Sequence, residues 1–499
     1  MGDEEKGKGH GGKVMAKFHS YDPEHVARIE KKLVRRLDTR IMPLVVIVYI
    51  FCYLDRNSIT QARLYGLQKD TKTRGAMYNT AIAMFSAGYV ATQLPSTVLM
   101  TKLRPSIYLP TTIIVWAIVS GCTAAVHNPA GLLIARFVLG LVEAPFYPGA
   151  VYFLSCWYTK RELGIRMALL ASGGGLSSAF AGLISAGILQ NMEHVDHLQT
   201  WRWLFILEAC ATITLAVVAL IFLPDYPRTT KWLSEEERIV AQGRIAADAA
   251  SSEVLDEERV SIMYGIKIAL QDPRTWLFAG MQMCASCATS FSRFFPTLIQ
   301  GLGFKSNFTT LLLTSPPYVF SFIWSIVVAW LADRKQARSP FAGASMLLAI
   351  VGTVMLIALP VEQRWVRYAF CFFVAAGSHG VSATTYTWLS STIVRPPIKR
   401  AAAIGIVNSI SSTASLWDSY FWLDIYSPSF RVSWGASLAF MTLGLALIIT
   451  LRLVLQRGNR RFDELASRVD PEGRYDPAAI SALDEEERRA VKDGFRFII

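Results

Sequence analysis

Charge is scarce in this chain: Asp, Glu, Lys and Arg make up 18% of its 499 residues, against about 25% in ordinary soluble domains. With 52% hydrophobic residues, the composition excludes a disordered chain and argues against a soluble one of this length. Cysteine is scarce as well. The seven cysteines (Cys52, Cys122, Cys156, Cys210, Cys284, Cys287 and Cys371) lie in or at the edge of apolar runs, which argues against a disulfide framework. Short alternating strands are missing, so a membrane barrel is not expected. There is no phosphate-binding glycine loop, metal-ligand cluster or nucleophile–base constellation, so neither an enzyme nor a cofactor is expected. Residues 1–40 are polar and basic without the apolar core of a cleavable signal, and read as a cytosolic tail.

What is present is a series of apolar runs of about 20 residues, the length a spanning helix needs. Backbone groups in lipid must be satisfied within the segment, which makes these runs helices. The expected fold is therefore an all-α integral membrane protein. About twelve spans fall at 41–62, 76–99, 107–126, 130–153, 165–189, 201–223, 275–299, 309–331, 341–360, 365–392, 401–422 and 432–455. The loops at 100–106, 154–166, 332–340 and 393–400 are basic, which places both termini in the cytosol. One loop, 63–75, dissents: it carries Arg63, Lys69, Lys72 and Arg74 on the outer side. The net charge of +12 follows from this loop pattern and does not call for nucleic acid.

The stretch 224–274 divides the spans into a bundle at 41–223 and a bundle at 275–455, with a second tail at 456–499. Ser234 stands three residues before Glu237, a capping box that opens an amphipathic helix expected to lie at the cytosolic interface. In the second tail, 481–495 reads as another surface helix.

Several spans carry charge. Asp55 and Arg56 stand about 14 residues, some 20 Å, into the first run. A charge there costs at least about 2.5–3.5 kcal/mol unless it faces protein or water and finds a partner. The fourth span supplies partners: Arg136, Gly140, Glu143 and Tyr147 recur on one helical face. Counting rise per residue puts Asp55 and Arg56 near the level of Arg136, with Glu143 about 10 Å deeper. Either these charges are a static salt-bridge network or they line a transport site. Pro145 and Pro148 break helical regularity just after Glu143, as a bending hinge or as a fixed kink.

Together these words resemble the major facilitator superfamily, and more narrowly its anion:cation symporters, the group of fungal allantoate, nicotinate, pantothenate and biotin permeases. The resemblance rests on Tyr53-Leu54-Asp55-Arg56-Asn57, on Gly88-Tyr89 with Gln93-Leu94-Pro95-Ser96, and on Arg136-Phe137 through Glu143-Ala144 with Phe146-Tyr147-Pro148-Gly149. It continues through Trp201-Arg202-Trp203-Leu204-Phe205 and into the central loop, and covers nearly the whole chain. It implies two six-helix halves, alternating access and no catalytic chemistry. It also implies that Arg56 meets a substrate carboxylate, that Arg136 is a second cationic contact, and that Asp55 and Glu143 carry protons. Tyr89 lies near a polar face of the second span (Asn79, Ser86, Gln93) and is expected to edge the cavity. Glu208 matches the family and is read as structural.

The second half departs from the family. Arg293 stands where an uncharged residue is usual; it is a lining cation, a partner for an acid such as Asp418, or a residue snorkelled to the surface. Asn408, Ser411, Ser412, Ser415 and Ser419 form a polar stripe that serves helix packing or ligand contact. His379, well inside a span, makes a packing hydrogen bond or senses protons. Asn307-Phe308-Thr309 is a glycosylation acceptor sequence. The expected partners are a small organic anion, protons and membrane lipid, with no nucleic acid, in a monomer of the plasma membrane. The expected function is proton-coupled symport of a carboxylate. The alternatives are export of an organic-acid metabolite and a transporter-like nutrient sensor.

Overall fold

The structure, a computed structural model, describes residues 17–466 except 19, 101–102, 193–194, 196–197, 231, 254–261, 305 and 394–396, together with Phe497. The helix expected at 481–495 lies outside the described residues. The chain divides into two compact units: Met1–Arg259 with Ser306–Ser315, and Val260–Lys305 with Pro316–Ile499.

Unit 1 opens with helix α1 (Pro23–Arg40), inside the stretch read as a tail. Pro23 supplies a helix start, and Leu33 and Leu37, one turn apart, are wholly buried. A single residue, Ile41, separates α1 from α2 (Met42–Leu64). Then come α3 (Met77–Met100), α4 (Pro105–Cys122), α5 (Pro129–Glu143) and α6 (Phe146–Ser155), followed by α7 (Lys160–Asn191) and α8 (Thr200–Phe222). The prolines after Glu143 interrupt the fourth span where expected: α5 stops at Glu143 and α6 resumes at Phe146. Within the unit, α3 packs on α5, α4 on α8, and α2 on both α7 and α8.

Glycines set the closest of these approaches. A Cβ on Gly140 stands 2.1 Å from the Phe85 carbonyl oxygen, and one on Gly88 stands 2.2 Å from that of Phe137. Only hydrogen fits at either position, so the backbones of α3 and α5 touch there.

Helix α9 (Glu235–Glu253) begins with the expected box, Ser234 N–H donating to Glu237 and Glu237 N–H to Ser234 Oγ, each at 3.1 Å. It packs on α1 rather than standing alone: Val240 is wholly buried, Arg36 pairs with Glu237 at 3.1 Å, and the buried Arg244 pairs with Glu162 at 3.1 Å. The dissenting basic loop is tied down too. The Arg63 guanidinium lies 4.4 Å from the Tyr78 ring, and Trp201 donates to Asp70 at 2.8 Å. Asn307, read as a glycosylation acceptor, opens a helix and donates its side-chain nitrogen to Leu64 O at 3.0 Å.

Unit 2 contains α10 (Ile262–Gln271), α11 (Pro273–Thr289), a 3-10 turn at Ser290–Phe294 and α12 (Phe295–Gly301). It continues with α13 (Asn307–Arg334, whose first turns belong to unit 1), α14 (Ser339–Ala358), α15 (Arg364–Thr392), α16 (Pro397–Thr413) and α17 (Arg431–Ala466). After α16 the chain passes through 3-10 turns at Ala414–Leu416 and Asp418–Phe421. Among the described residues the long helices make twelve passages, six before α9 and six after α10, counting α5 with α6, α11 with α12, and α16 with its turns. Among the described residues seven helical stretches are long and apolar enough to cross a membrane by length and composition alone.

Candidate functional site

The Arg56 charge pairs with Glu143, the acid that the rise per residue puts deeper than Arg136. Side chains lean toward the N-terminus of their own helix, and Arg is long, so Arg56 reaches back along α2 to the last residue of α5. Its Nη2 donates to Glu143 Oε1 at 2.6 Å and its Nε to the same oxygen at 3.1 Å. The Cys52 thiol donates to Oε1 as well, at 3.0 Å, while Oε2 has no hydrogen-bond partner.

The two partners differ in access. The Glu143 side chain is wholly buried and that of Arg56 is 28% exposed. Three rings surround the guanidinium, Tyr53 at 4.8 Å, Phe85 at 4.9 Å and Tyr89 at 5.1 Å from its carbon. Phe85 and Tyr89 are one turn apart on α3, which the Gly88 and Gly140 contacts press against α5. A cation framed by ring faces stays charged and oriented yet keeps an open edge.

Asp55, next in sequence, points elsewhere. It is wholly buried, and its Oδ2 accepts from Trp116 Nε1 at 3.1 Å and from Thr212 Oγ1 at 3.3 Å, while Oδ1 has no partner. Glu208, one turn before Thr212 on α8, is also buried and accepts from Ser58. Arg136 is 1% exposed, with its guanidinium 5.7 Å from the Phe205 ring and no hydrogen-bond partner for Nε or Nη2. Unit 1 therefore places three buried acids, the buried Arg136 and the partly exposed Arg56 among these helices, with one direct ion pair between them. Arg56, Glu143 and Tyr89 come together; Asp55 and Arg136 lie in the buried layer behind them.

The sequence reading gave Cys52, Tyr53, Phe85, Trp116 and Thr212 no role at the site, because apolar and hydroxyl residues on separate helices leave no signal of a shared partner. Glu208 did carry one, an acid within an apolar run. Its neighbour word has a structural part: Arg202 donates to the carbonyls of Ala124 and Val126, in and just after the Thr123–Ala125 3-10 turn that follows α4.

Unit 2 holds the other two site residues. Arg293 lies on the 3-10 turn after α11 and is paired with Asp418, the second of its three alternatives. Asn408 Oδ1 accepts from Tyr386 OH at 3.1 Å, tying α16 to α15, and Ser411 and Ser412 both donate to Asn408 O. The His379 ring lies edge-on to Tyr318 with Nε2 unpartnered, so that atom makes no packing hydrogen bond.

Twelve helical passages in two groups of six, with both signs of charge buried inside them and interrupted helices at the charged positions, define a membrane transporter. The sequence profile of the Major Facilitator Superfamily matches residues 45–417, and the chain belongs to that superfamily. The MFS transporter prlL of Fungal sp. (strain NRRL 50135) is 32% identical over 404 residues, covering 78% of this chain and 80% of that protein. The MFS-type transporter cnsO of Penicillium expansum is 27% identical over 481 residues, covering 94% and 90%. The crystal structure of a D-xylose-proton symporter shares the fold, with a TM-score of 0.63 at 14% identity over 82% of this chain and 97% of that one.

Proposed function

We propose that the protein carries a small organic anion, a carboxylate, together with protons by alternating access, as in the anion:cation symporter group. The observation that supports this most is the Arg56–Glu143 pair, a reachable cation on a buried acid. A substrate carboxylate approaching the open edge of Arg56 competes with Glu143 for the guanidinium. Once Arg56 turns to the substrate, Glu143 is left buried without its cation, a state that costs several kcal/mol unless the acid takes up a proton. Anion and proton are then held together and released together. Tyr53, Phe85 and Tyr89 keep the guanidinium in place during the exchange. Arg136 offsets the buried acids electrostatically, and Asp55, with Oδ1 unpartnered, is the second proton carrier in unit 1.

The protein acts as a monomer in the plasma membrane with both termini in the cytosol, and import driven by inward protons is its direction. The test is uptake by vesicles holding the purified protein, with nicotinate, pantothenate, allantoate and biotin as probes. Saturable accumulation of one acid that collapses with the proton gradient supports the reading. Accumulation that ignores the gradient, or none of any of the four, contradicts it.

A further inference from the structure

Unit 2 contains a second arginine–carboxylate pair, built like the first and absent from the mechanism above. Arg293 Nη1 donates to Asp418 Oδ1 and its Nη2 to Ser415 Oγ at 2.8 Å. Access is divided in the same way: the Asp418 side chain is wholly buried and that of Arg293 is 28% exposed. Asp418 Oδ2, like Glu143 Oε2, has no hydrogen-bond partner.

The backbone adds an independent observation. Arg293 sits within the Ser290–Phe294 turn and Asp418 opens the Asp418–Phe421 turn, so both residues stand where a membrane passage gives up α-helical hydrogen bonding. Short 3-10 stretches inside a long helix mark hinges, and carriers place their ion and substrate contacts at interrupted helices. The two turns are joined by Trp422, which donates to Ser290 Oγ at 2.9 Å and stacks on Phe294.

Among the described residues Asp418 has one ionic partner, Arg293. Cys287 from α11 is the other titratable group within electrostatic reach of it. Helix α17 packs on the same turn with Phe440, which meets Trp417 and Phe421, and with Trp434, which meets Trp422. The Arg431 charge at the start of α17 acts on Arg367 instead. A pair that served only to lock helices gains nothing from an exposed cation and an acid oxygen left bare, since a half-satisfied buried network is a poor fastener.

We infer that Arg293 and Asp418 form a second proton-linked carboxylate site, in which an anionic group binds the exposed edge of Arg293 and Asp418, losing that cation, takes a proton onto its carboxylate. The inference rests on the reading of the protein as a proton-coupled anion carrier and adds a proton acceptor to it. The proton comes from solution, no covalent bond to the substrate forms, and the pair regenerates when the anion leaves.

The emptied state can be made without any substrate. The infrared difference spectrum at neutral pH between the full-length Arg293→Gln protein and wild type in vesicles should show an added carbonyl stretch of a protonated carboxylic acid. That band should vanish in the double variant Arg293→Gln/Asp418→Asn. If Arg293→Gln loses its helical amide signal, Arg293→Met, which fills the same space without charge, replaces it in both comparisons. No new band, or a band that survives in the double variant, overturns the inference. For any acid that wild type accumulates, Asp418→Asn should lower the number of protons moved per acid, and an unchanged ratio overturns it too. If wild type accumulates none of the probes, the symport reading fails, and the infrared band still decides for Asp418.

Discussion

Arg56 and Glu143 meet at 2.6 Å through one carboxylate oxygen, which also accepts the Cys52 thiol, while the other oxygen of Glu143 has no partner. The pair is lopsided in bonding and in access, and both features suit a contact that is made and broken. Removing the cation therefore does more than remove a lock. Arg56→Ala should weaken binding of the transported carboxylate by about 30-fold or more, the roughly 2 kcal/mol lost when one partner of a desolvated charge contact is truncated. Equilibrium binding of labelled acid to purified protein checks this, and near-normal affinity removes Arg56 from the site.

The ring set makes a smaller contribution that depends on its faces rather than its hydroxyls. Tyr89, 5.1 Å from the Arg56 guanidinium carbon, should be replaceable by Phe with little change. Tyr89→Leu should weaken carboxylate binding by about threefold to tenfold, the range of one cation–ring contact. Equal losses for the two variants contradict the assignment.

Helix contact positions the rings. A Cβ on Gly140 lies 2.1 Å from Phe85 O and 2.9 Å from Tyr89 N, whereas one on Gly187 meets nothing within 4 Å. Gly140→Ala should destabilise the protein by roughly 1–3 kcal/mol and lower transport by shifting Tyr89, while Gly187→Ala leaves both near wild type. Thermal unfolding in detergent alongside uptake reads both effects.

Asp272 caps α11 just outside the spans. Its side chain accepts from Arg274 N at 2.9 Å, and it pairs with Arg274 at 2.8 Å and with Lys399 at 3.2 Å. Burial pushes its carboxyl up, but the Arg274 contacts and the Lys399 charge outweigh burial and hold it below the ordinary value. A carboxyl lowered on folding stabilises the protein above its unfolded value, about 3.9, and that contribution fades as pH falls through the folded value. Asp272→Asn should cost roughly 2 kcal/mol at pH 7, the scale of hydrogen bonds to a charged group. The gap from wild type should stay level down to about pH 5 and close below about pH 4; a constant gap at all pH values contradicts the charge account.

Much of this was legible in the sequence because charge is expensive in lipid. Asp55, Arg56, Arg136, Glu143 and Arg293 announce themselves as interruptions of apolar runs, and Pro145 and Pro148 mark the break after Glu143. Which charges pair was not legible. Counting rise per residue tracks Cα atoms, and Arg56 spends its side-chain length reaching another level. Trp116 and Thr212, which hold Asp55, lie on separate helices and look like ordinary span residues. Residues 23–40 read as a tail because the buried Leu33 and Leu37 are sparse among charges, and their burial depends on contacts that no local pattern shows. Arg293 kept three alternatives open until the two 3-10 turns brought Asp418 beside it.

In the proposed cycle Glu143 trades its arginine for a proton when the anion binds. The measurement that tests it most directly compares wild type with Glu143→Gln in vesicles, for a carboxylate that wild type accumulates, reading exchange of labelled acid between equal pools and accumulation under an inward proton gradient. Glu143→Gln should keep exchange and lose gradient-driven accumulation. Accumulation at the wild-type level in Glu143→Gln would contradict it.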